Sequence, residues 1–366
     1  MASTFSNQIS YVRVLTGVIA VVAGSVFARC AVSDWPELPV TNAGVYLPAQ
    51  EWPARPGPRT IAVQVHFPGG SRRQITQDTG IALTLHNWGG TNCVGTADPQ
   101  VLADHFNTVA LCVNYVQSGR ADSIEGPEPY DFGYLQALDA LRALWWTRNS
   151  LIQQSVVFAT NRLFATGGSG GGNVTLMCQK LAPRTFLSVA DLCGMKRLSD
   201  DIAFHLPGGS DLNARYSRDP QHPNYLPPDA QELRDLGNPT HLRLQKSFGS
   251  TCRVITVHGV DDTTCPFEDA VRMVEAFKAV ELPIEPHFIR PQDLDGNRYT
   301  SSGHALGDRT AIVIHVAHAW SIGQLTPATA PTDFDRRGVV RYPTRNGAFE
   351  IDFAAGYPVG RFVATR

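Results

Sequence analysis

Three residues far apart in the chain carry the side chains that acyl transfer needs: Ser169, Asp262 and His304. Ser169 lies in Thr166-Gly167-Gly168-Ser169-Gly170-Gly171-Gly172-Asn173, between an apolar run at 162–165 and a helix-compatible run at 174–181. A serine flanked by glycines between a strand and a helix sits on a tight turn that holds its hydroxyl exposed in a strained conformation. Alone, such a segment is equally a plain glycine-rich turn or a phosphate loop. Residues further along the chain argue for chemistry.

A serine hydroxyl is a poor nucleophile until an imidazole takes its proton, and His304, in Tyr299-Thr300-Ser301-Ser302-Gly303-His304, fits that role. A carboxylate must orient the imidazole and stabilise its cation. Asp262 fits, in His258-Gly259-Val260-Asp261-Asp262-Thr263-Thr264-Cys265-Pro266, with Asp261 as its competitor. Charge developing on a substrate oxygen needs preorganised donors. The backbone N–H groups of Gly170, just after the serine, and of Trp88, in His86-Asn87-Trp88-Gly89-Gly90, are the candidates. His315 and His318 sit in an apolar helix-like run and read as core or surface residues. His258 reads as a packing or hydrogen-bonding residue, and His86 as a brace for the oxyanion loop. Asp293-Leu294-Asp295-Gly296-Asn297 lacks the rest of a calcium-ligand series and reads as a polar turn. No metal and no cofactor is expected.

The elements that must position these groups alternate from about residue 60. Apolar runs at 60–67, 81–86, 109–115, 186–192, 253–258 and 285–289 read as strands, with the elbow strand between the third and fourth. Leu135, Leu138, Leu141 and Leu144 recur at helical spacing. Buried strands with intervening helices argue for a mostly parallel α/β sheet. Each candidate group then falls at a strand end or in the loop beyond it.

Two segments break the rhythm. Residues 201–247 are crowded with proline and glycine and read as an irregular insertion, either a lid over the pocket or a surface excursion. The tail at 326–366 carries Asn346-Gly347 between two β-prone runs, the signature of a hairpin, and reads as a small β extension.

The chain has 366 residues, 43% hydrophobic and 17% charged, enough for a large core within one α/β domain at 29–325. A net charge of −2 points to no nucleic-acid partner. Arg13 precedes an apolar run through Ala28 that is short for a membrane span, so residues 1–28 read as an export signal cleaved near Ala28. A secreted or periplasmic protein without stable membrane insertion is expected. Arg29 before Cys30 argues against lipidation. The seven cysteines form no metal-like cluster. Cys112, Cys178 and Cys193 fall in apolar patterns and read as core thiols, while one or two disulfides of undefined connectivity remain open.

These motifs, each at an expected strand end, resemble the α/β-hydrolase superfamily over about residues 60–322. The pattern from His258-Gly259 through Asp262 to Pro266, the elbow Gly167–Gly172 and the Gly303-His304 pair are most similar to its prolyl-oligopeptidase and dienelactone-hydrolase branch. The chain is also similar to uncharacterised bacterial hydrolase-like families. The resemblance implies a serine hydrolase working through an acyl-enzyme on a small-molecule or peptide acyl substrate. Two departures stand out. Asn87 occupies a position where many relatives have glycine, and Gly170 one where relatives often carry a side chain. Peptidases of that branch usually carry a large N-terminal propeller. The short stretch between the expected cleavage site and the first core strand leaves no room for one, which tilts the expectation to carboxylic esters. The alternatives are a serine peptidase or amidase, and a non-catalytic binding protein on the same fold.

Overall fold

The computed structural model describes residues 35–325 and 330–365, so the expected export signal, its cleavage site and Cys30 lie outside the described residues. In chain order the elements are β1 (Ala43–Ala49), β2 (Arg59–His66), β3 (Gly80–Leu85), α1 (Pro99–Phe106), β4 (Thr108–Asn114), α2 (Arg120–Ser123), α3 (Tyr134–Gln153), β5 (Leu163–Gly168), α4 (Gly170–Leu181) and β6 (Ser188–Leu192). They continue with α5 (Asp200–Phe204), α6 (Pro228–Leu233), α7 (Pro239–Phe248), β7 (Arg253–Gly259), α8 (Phe267–Ala279), β8 (Ile284–Ile289), α9 (Arg309–Val316), α10 (Asp333–Arg336), β9 (Val339–Thr344), β10 (Gly347–Asp352) and β11 (Val359–Ala364).

The strands form an eight-stranded sheet in the order β1-β2-β4-β3-β5-β6-β7-β8. From β4 across to β8 every pairing is parallel, while β1 and β2 are antiparallel additions at one edge. Both faces are covered, which is why the central strands read as unbroken apolar runs. Ile81, Leu83 and Leu85 pack into one core with α3 and α4, whereas Ala82, Phe164, Ala190 and Ile255 pack into a second core with α1 and α9. Each of the isoleucine, leucine and phenylalanine side chains among these, fully buried, contributes on the order of 1.5–3 kcal/mol. The mostly parallel α/β sheet expected from the alternation is the observed architecture.

Four features differ from the sequence reading. Strand β1 went unread because it is an edge strand that contains Pro48 and exposes Ala43, Gly44 and Tyr46, so it carries no apolar run. The tail does turn at Asn346-Gly347, but a third strand, β11, pairs with β10 to make a three-stranded antiparallel sheet. That sheet is no loose extension: Val340, Tyr342, Ile351 and Phe353 are wholly buried in the larger core. Part of the 201–247 insertion is helical. Pro228 and Pro239 open α6 and α7 from the first turn, where the missing N–H costs no hydrogen bond. Finally, Cys112 is not a free core thiol, because it forms a disulfide with Cys93. Cys178 and Cys193 are free and buried, as are Cys252 and Cys265.

Candidate active site

The carboxyl ends of β3, β5 and β7 meet where β3 lies between β4 and β5, the place where open α/β sheets bind ligands. Ser169 occupies the turn between β5 and α4 with φ 55° and ψ −119°. A non-glycine residue held there is strained and persists only when its surroundings over-determine it. Here they do: Ser169 N–H donates to Leu192 O at 2.8 Å, and Ser169 O accepts from Asn173 N–H at 3.1 Å. Gly171 supplies the closeness, since a Cβ there would lie 2.0 Å from Leu85 O. Helix α4 therefore crosses the end of β3 backbone to backbone.

The structure brings Ser169, His304 and Asp262 together. His304 Nε2 lies 2.9 Å from Ser169 Oγ, and His304 Nδ1 lies 2.9 Å from Asp262 Oδ2. Nδ1–H donates to the carboxylate, which leaves Nε2 to accept from the serine hydroxyl. Asp262 Oδ1 accepts from Cys265 N–H at 2.9 Å, so both carboxylate oxygens are engaged. Burial by itself would raise the Asp262 carboxyl; the His304 hydrogen bond and charge, with smaller help from His258 and Cys265 N–H, outweigh it and hold the group below its ordinary value. Asp261, the competing acid, faces away: its Oδ2 accepts from Ser302 Oγ at 2.6 Å and braces the histidine loop.

The two oxyanion candidates are neighbours. A Cβ built on Gly170 would come within 2.6 Å of the Trp88 backbone nitrogen. This explains why glycine follows the serine in this chain, where a side chain would push on the oxyanion loop. Gly170 N–H opens α4 and has no partner within the helix. The loop itself is fastened from several sides. The Trp88 indole stacks on Tyr130 at 3.9 Å and donates from Nε1 to Ser123 O at 3.1 Å. His86, wholly buried, donates from Nδ1 to Asn87 O at 2.8 Å and stacks on Tyr115. Burial lowers His86 to about 4 and keeps it neutral. The Cys93–Cys112 disulfide ties the far end of the loop to β4.

Several supporting residues escaped the sequence reading. Arg309, at the start of α9, donates to Gly95 O and, at 3.4 Å, to His304 O, joining the oxyanion loop to the histidine loop. Arg215, from the insertion, donates to Glu128 O, Ile124 O and Ser123 O. Neither arginine leaves a mark in the local sequence. Asp191 and Lys196 do, because a charge ending an apolar strand demands a buried partner. Lys196 Nζ meets Asp191 Oδ2 at 2.5 Å and lies 3.4 Å from His258 Nδ1. His258 in turn donates from Nε2 to Cys265 O at 2.8 Å. Burial, and then the Lys196 ammonium, lower His258 to about 4, so a neutral ring packs beneath Asp262. His315 and His318 are exposed, away from Ser169's pocket. In the 293–297 turn, Asp295 Oδ1 accepts from Asn297 N–H and Tyr299 N–H.

Ser169 and His304 open into a cavity of about 500 Å³ walled by Trp88, Ile124, Leu212 and Arg215. The irregular part of the insertion thus forms one side of the pocket. Among the described residues, Cys193, His258 and Asp262, and also Asp262, Cys265 and His304, lie close enough to hold an ion. Both sets share Asp262, whose oxygens already serve His304 and Cys265. Among the described residues, no helix is long and apolar enough to cross a membrane.

Residues 146–321 match the family model described as the prolyl oligopeptidase family. No curated protein matches the chain. Among solved structures it is similar to a puromycin-hydrolysing peptidase of Mycobacterium tuberculosis, at 17% identity and TM-score 0.51 over 76% of this chain and 40% of that one. It is similar to a Pyrococcus horikoshii acylaminoacyl peptidase, at 10% identity and TM-score 0.51 over 79% of this chain and 43% of that one. A putative dipeptidyl aminopeptidase IV from Bacteroides ovatus matches at 12% identity and TM-score 0.51, over 76% of this chain and 36% of that one. At these identities the likeness is one of fold, and the chain spans well under half the length of each. Residues 146–321 accordingly match the prolyl oligopeptidase family, in a chain built on the α/β-hydrolase fold.

Proposed function

We propose that the protein is a serine hydrolase in which Ser169, His304 and Asp262 form the catalytic triad and hydrolyse carboxylic esters through an acyl-enzyme. The observation that carries this reading is the unbroken chain from Ser169 Oγ to His304 Nε2 and from Nδ1 to Asp262, with both distances 2.9 Å. In this mechanism His304 takes the hydroxyl proton as Ser169 Oγ bonds to the substrate carbonyl carbon. Asp262 holds the ring in the tautomer that leaves Nε2 free and stabilises the imidazolium that forms. The carbonyl oxygen becomes an oxyanion that accepts from Gly170 N–H and Trp88 N–H. His304 returns the proton to the leaving alcohol as the carbon–oxygen bond breaks. Water, deprotonated by the same ring, then releases the acid and regenerates Ser169.

The partly apolar cavity around Ile124, Leu212 and Trp88 suits a small acyl or alcohol group. A second reading, a serine peptidase or amidase, draws on the family match over residues 146–321. A fluorophosphonate probe tests the mechanism: wild type labels, whereas Ser169→Ala does not. Equal labelling of the two proteins would refute it and favour a binding protein on the same fold. Turnover of p-nitrophenyl esters in preference to aminoacyl-nitroanilides is the expected substrate profile, and faster cleavage of the anilides would select the peptidase reading. Export, proposed from the N-terminal sequence, accords with the Cys93–Cys112 disulfide, since such bonds persist in oxidising compartments.

A further inference from the structure

A second cavity, of about 560 Å³, opens where the C-terminal sheet meets the 50–54 segment, the start of α3 and the insertion, and it contains neither Ser169 nor His304. Its size falls within the roughly 300–1,000 Å³ of small-molecule sites, and its walls are rich in aromatic rings. Trp52, Tyr134, Tyr216, Phe349 and Phe362 all line it. Tyr134 meets Phe349 edge-on at 5.2 Å, and Phe349 meets Phe362 at 5.1 Å, so three of the rings form one continuous wall.

The charges around the cavity are already matched. Asp131 pairs with Arg234 at 3.2 Å, Glu128 with Arg55 at 2.7 Å, and Arg361 with Glu350 at 2.8 Å. A charged ligand would find no free counter-charge among these groups and would lose its hydration on entry. The Tyr134 hydroxyl packs against Gly360 and is itself buried, so Tyr134 offers the cavity its ring rather than its oxygen.

The cavity is separate from the catalytic pocket but shares a wall with it. Tyr130 N–H donates to Ala214 O at 2.9 Å, and Arg215 Nε donates to Glu128 O at 3.1 Å, joining the two segments of that wall. Arg215 lines the catalytic side and Tyr216 the other, while Tyr130 supports Trp88 and Asp131 lines the second cavity. We propose that this cavity is a binding site for a neutral aromatic small molecule held among the rings.

Benzophenone, with two rings and one carbonyl, is a suitable probe and also crosslinks under ultraviolet light. Binding is measured on the full-length Ser169→Ala protein, so the result does not depend on catalysis. The expected result is saturable binding by calorimetry, with the photoadduct on peptides containing residues 128–134 or 349–362. Ala230→Phe, which fills the cavity from α6, lowers crosslinking there by at least about tenfold, equivalent to 1.4 kcal/mol of binding. Ala54→Trp, at the exposed rim, does the same without touching the core. Thermal unfolding reports whether each variant is folded. No saturable binding, adducts confined to peptides carrying Trp88 or Leu212, or unchanged crosslinking in folded Ala54→Trp would each overturn the proposal.

Discussion

Replacing Gly170 by alanine tests whether the oxyanion hole is built as the geometry indicates. The added methyl would sit 2.6 Å from Trp88 N, 3.0 Å from Trp88 Cβ and 3.1 Å from Trp88 Cα. Ordinary contact begins near 3.4 Å, so 3.4 − 2.6 leaves 0.8 Å for the backbone to absorb. No flexible side-chain end is available to yield, because the nearest atom is main chain. Nor does the loop swing freely: Trp88 is stacked on Tyr130, its indole is bonded to Ser123 O, and the Cys93–Cys112 bridge holds its far end. A donor must lie about 2.7–3.1 Å from the oxyanion, so a shift of this size removes one of the two hydrogen bonds. The loss is about 3–4 kcal/mol in the barrier, or on the order of 10²–10³ in kcat. The assay is hydrolysis of a p-nitrophenyl ester with KM and kcat separated, beside the rate of fluorophosphonate labelling. The reasoning predicts a fall in kcat and in labelling rate with KM and thermal unfolding little changed. A Gly170→Ala enzyme within about tenfold of wild-type kcat would refute the assignment of Trp88 and Gly170 as paired donors.

Opening the Cys93–Cys112 bridge, by reduction or as Cys93→Ala with Cys112→Ala, releases a loop closed at a separation of 19 residues and should cost about 3 kcal/mol of stability, read as a drop in denaturation midpoint. Identical midpoints with and without reductant would contradict the bridge. Ile351→Ala, at a wholly buried position of β10, should destabilise the whole fold by about 2–5 kcal/mol. A loss confined to fraying of the tail, with the main transition unmoved, would show that the C-terminal sheet is not part of the core. His86 and His258 are each lowered to about 4 in the folded protein, so the unfolded chain binds their protons first as pH falls. Their contribution, up to roughly 3 kcal/mol each, is present above about pH 6.5 and drains away as pH drops toward 4. Denaturant unfolding at neutral pH and near pH 4.5 checks this, and a protein no less stable in acid would argue that neither ring is buried neutral.

The strand ends carrying the site were legible because both faces of the sheet are covered, which turns each central strand into an apolar run that stops where the chemistry begins. Glycines around Ser169 were legible for a related reason: α4 and β3 approach backbone to backbone, and at Gly171 only glycine fits. Edge strands β1 and β11 hid, since half their side chains face solvent and their sequences look like loops. Pro228 and Pro239 misled, because proline both interrupts a helix and begins one, and only the neighbouring packing decides which.

The amino-acid sequence by itself determined the α/β class, the order of Ser169, Asp262 and His304, and the glycine beside Ser169, since these depend on local periodicity and on turns that tolerate few residue types. Tertiary structure alone decided which aspartate faces His304, that Cys93 reaches Cys112, that Arg309 and Arg215 clamp the loops, and that a second aromatic cavity lies behind the pocket wall. Those outcomes depend on long-range distances between segments, and the pattern of a single segment carries no record of them.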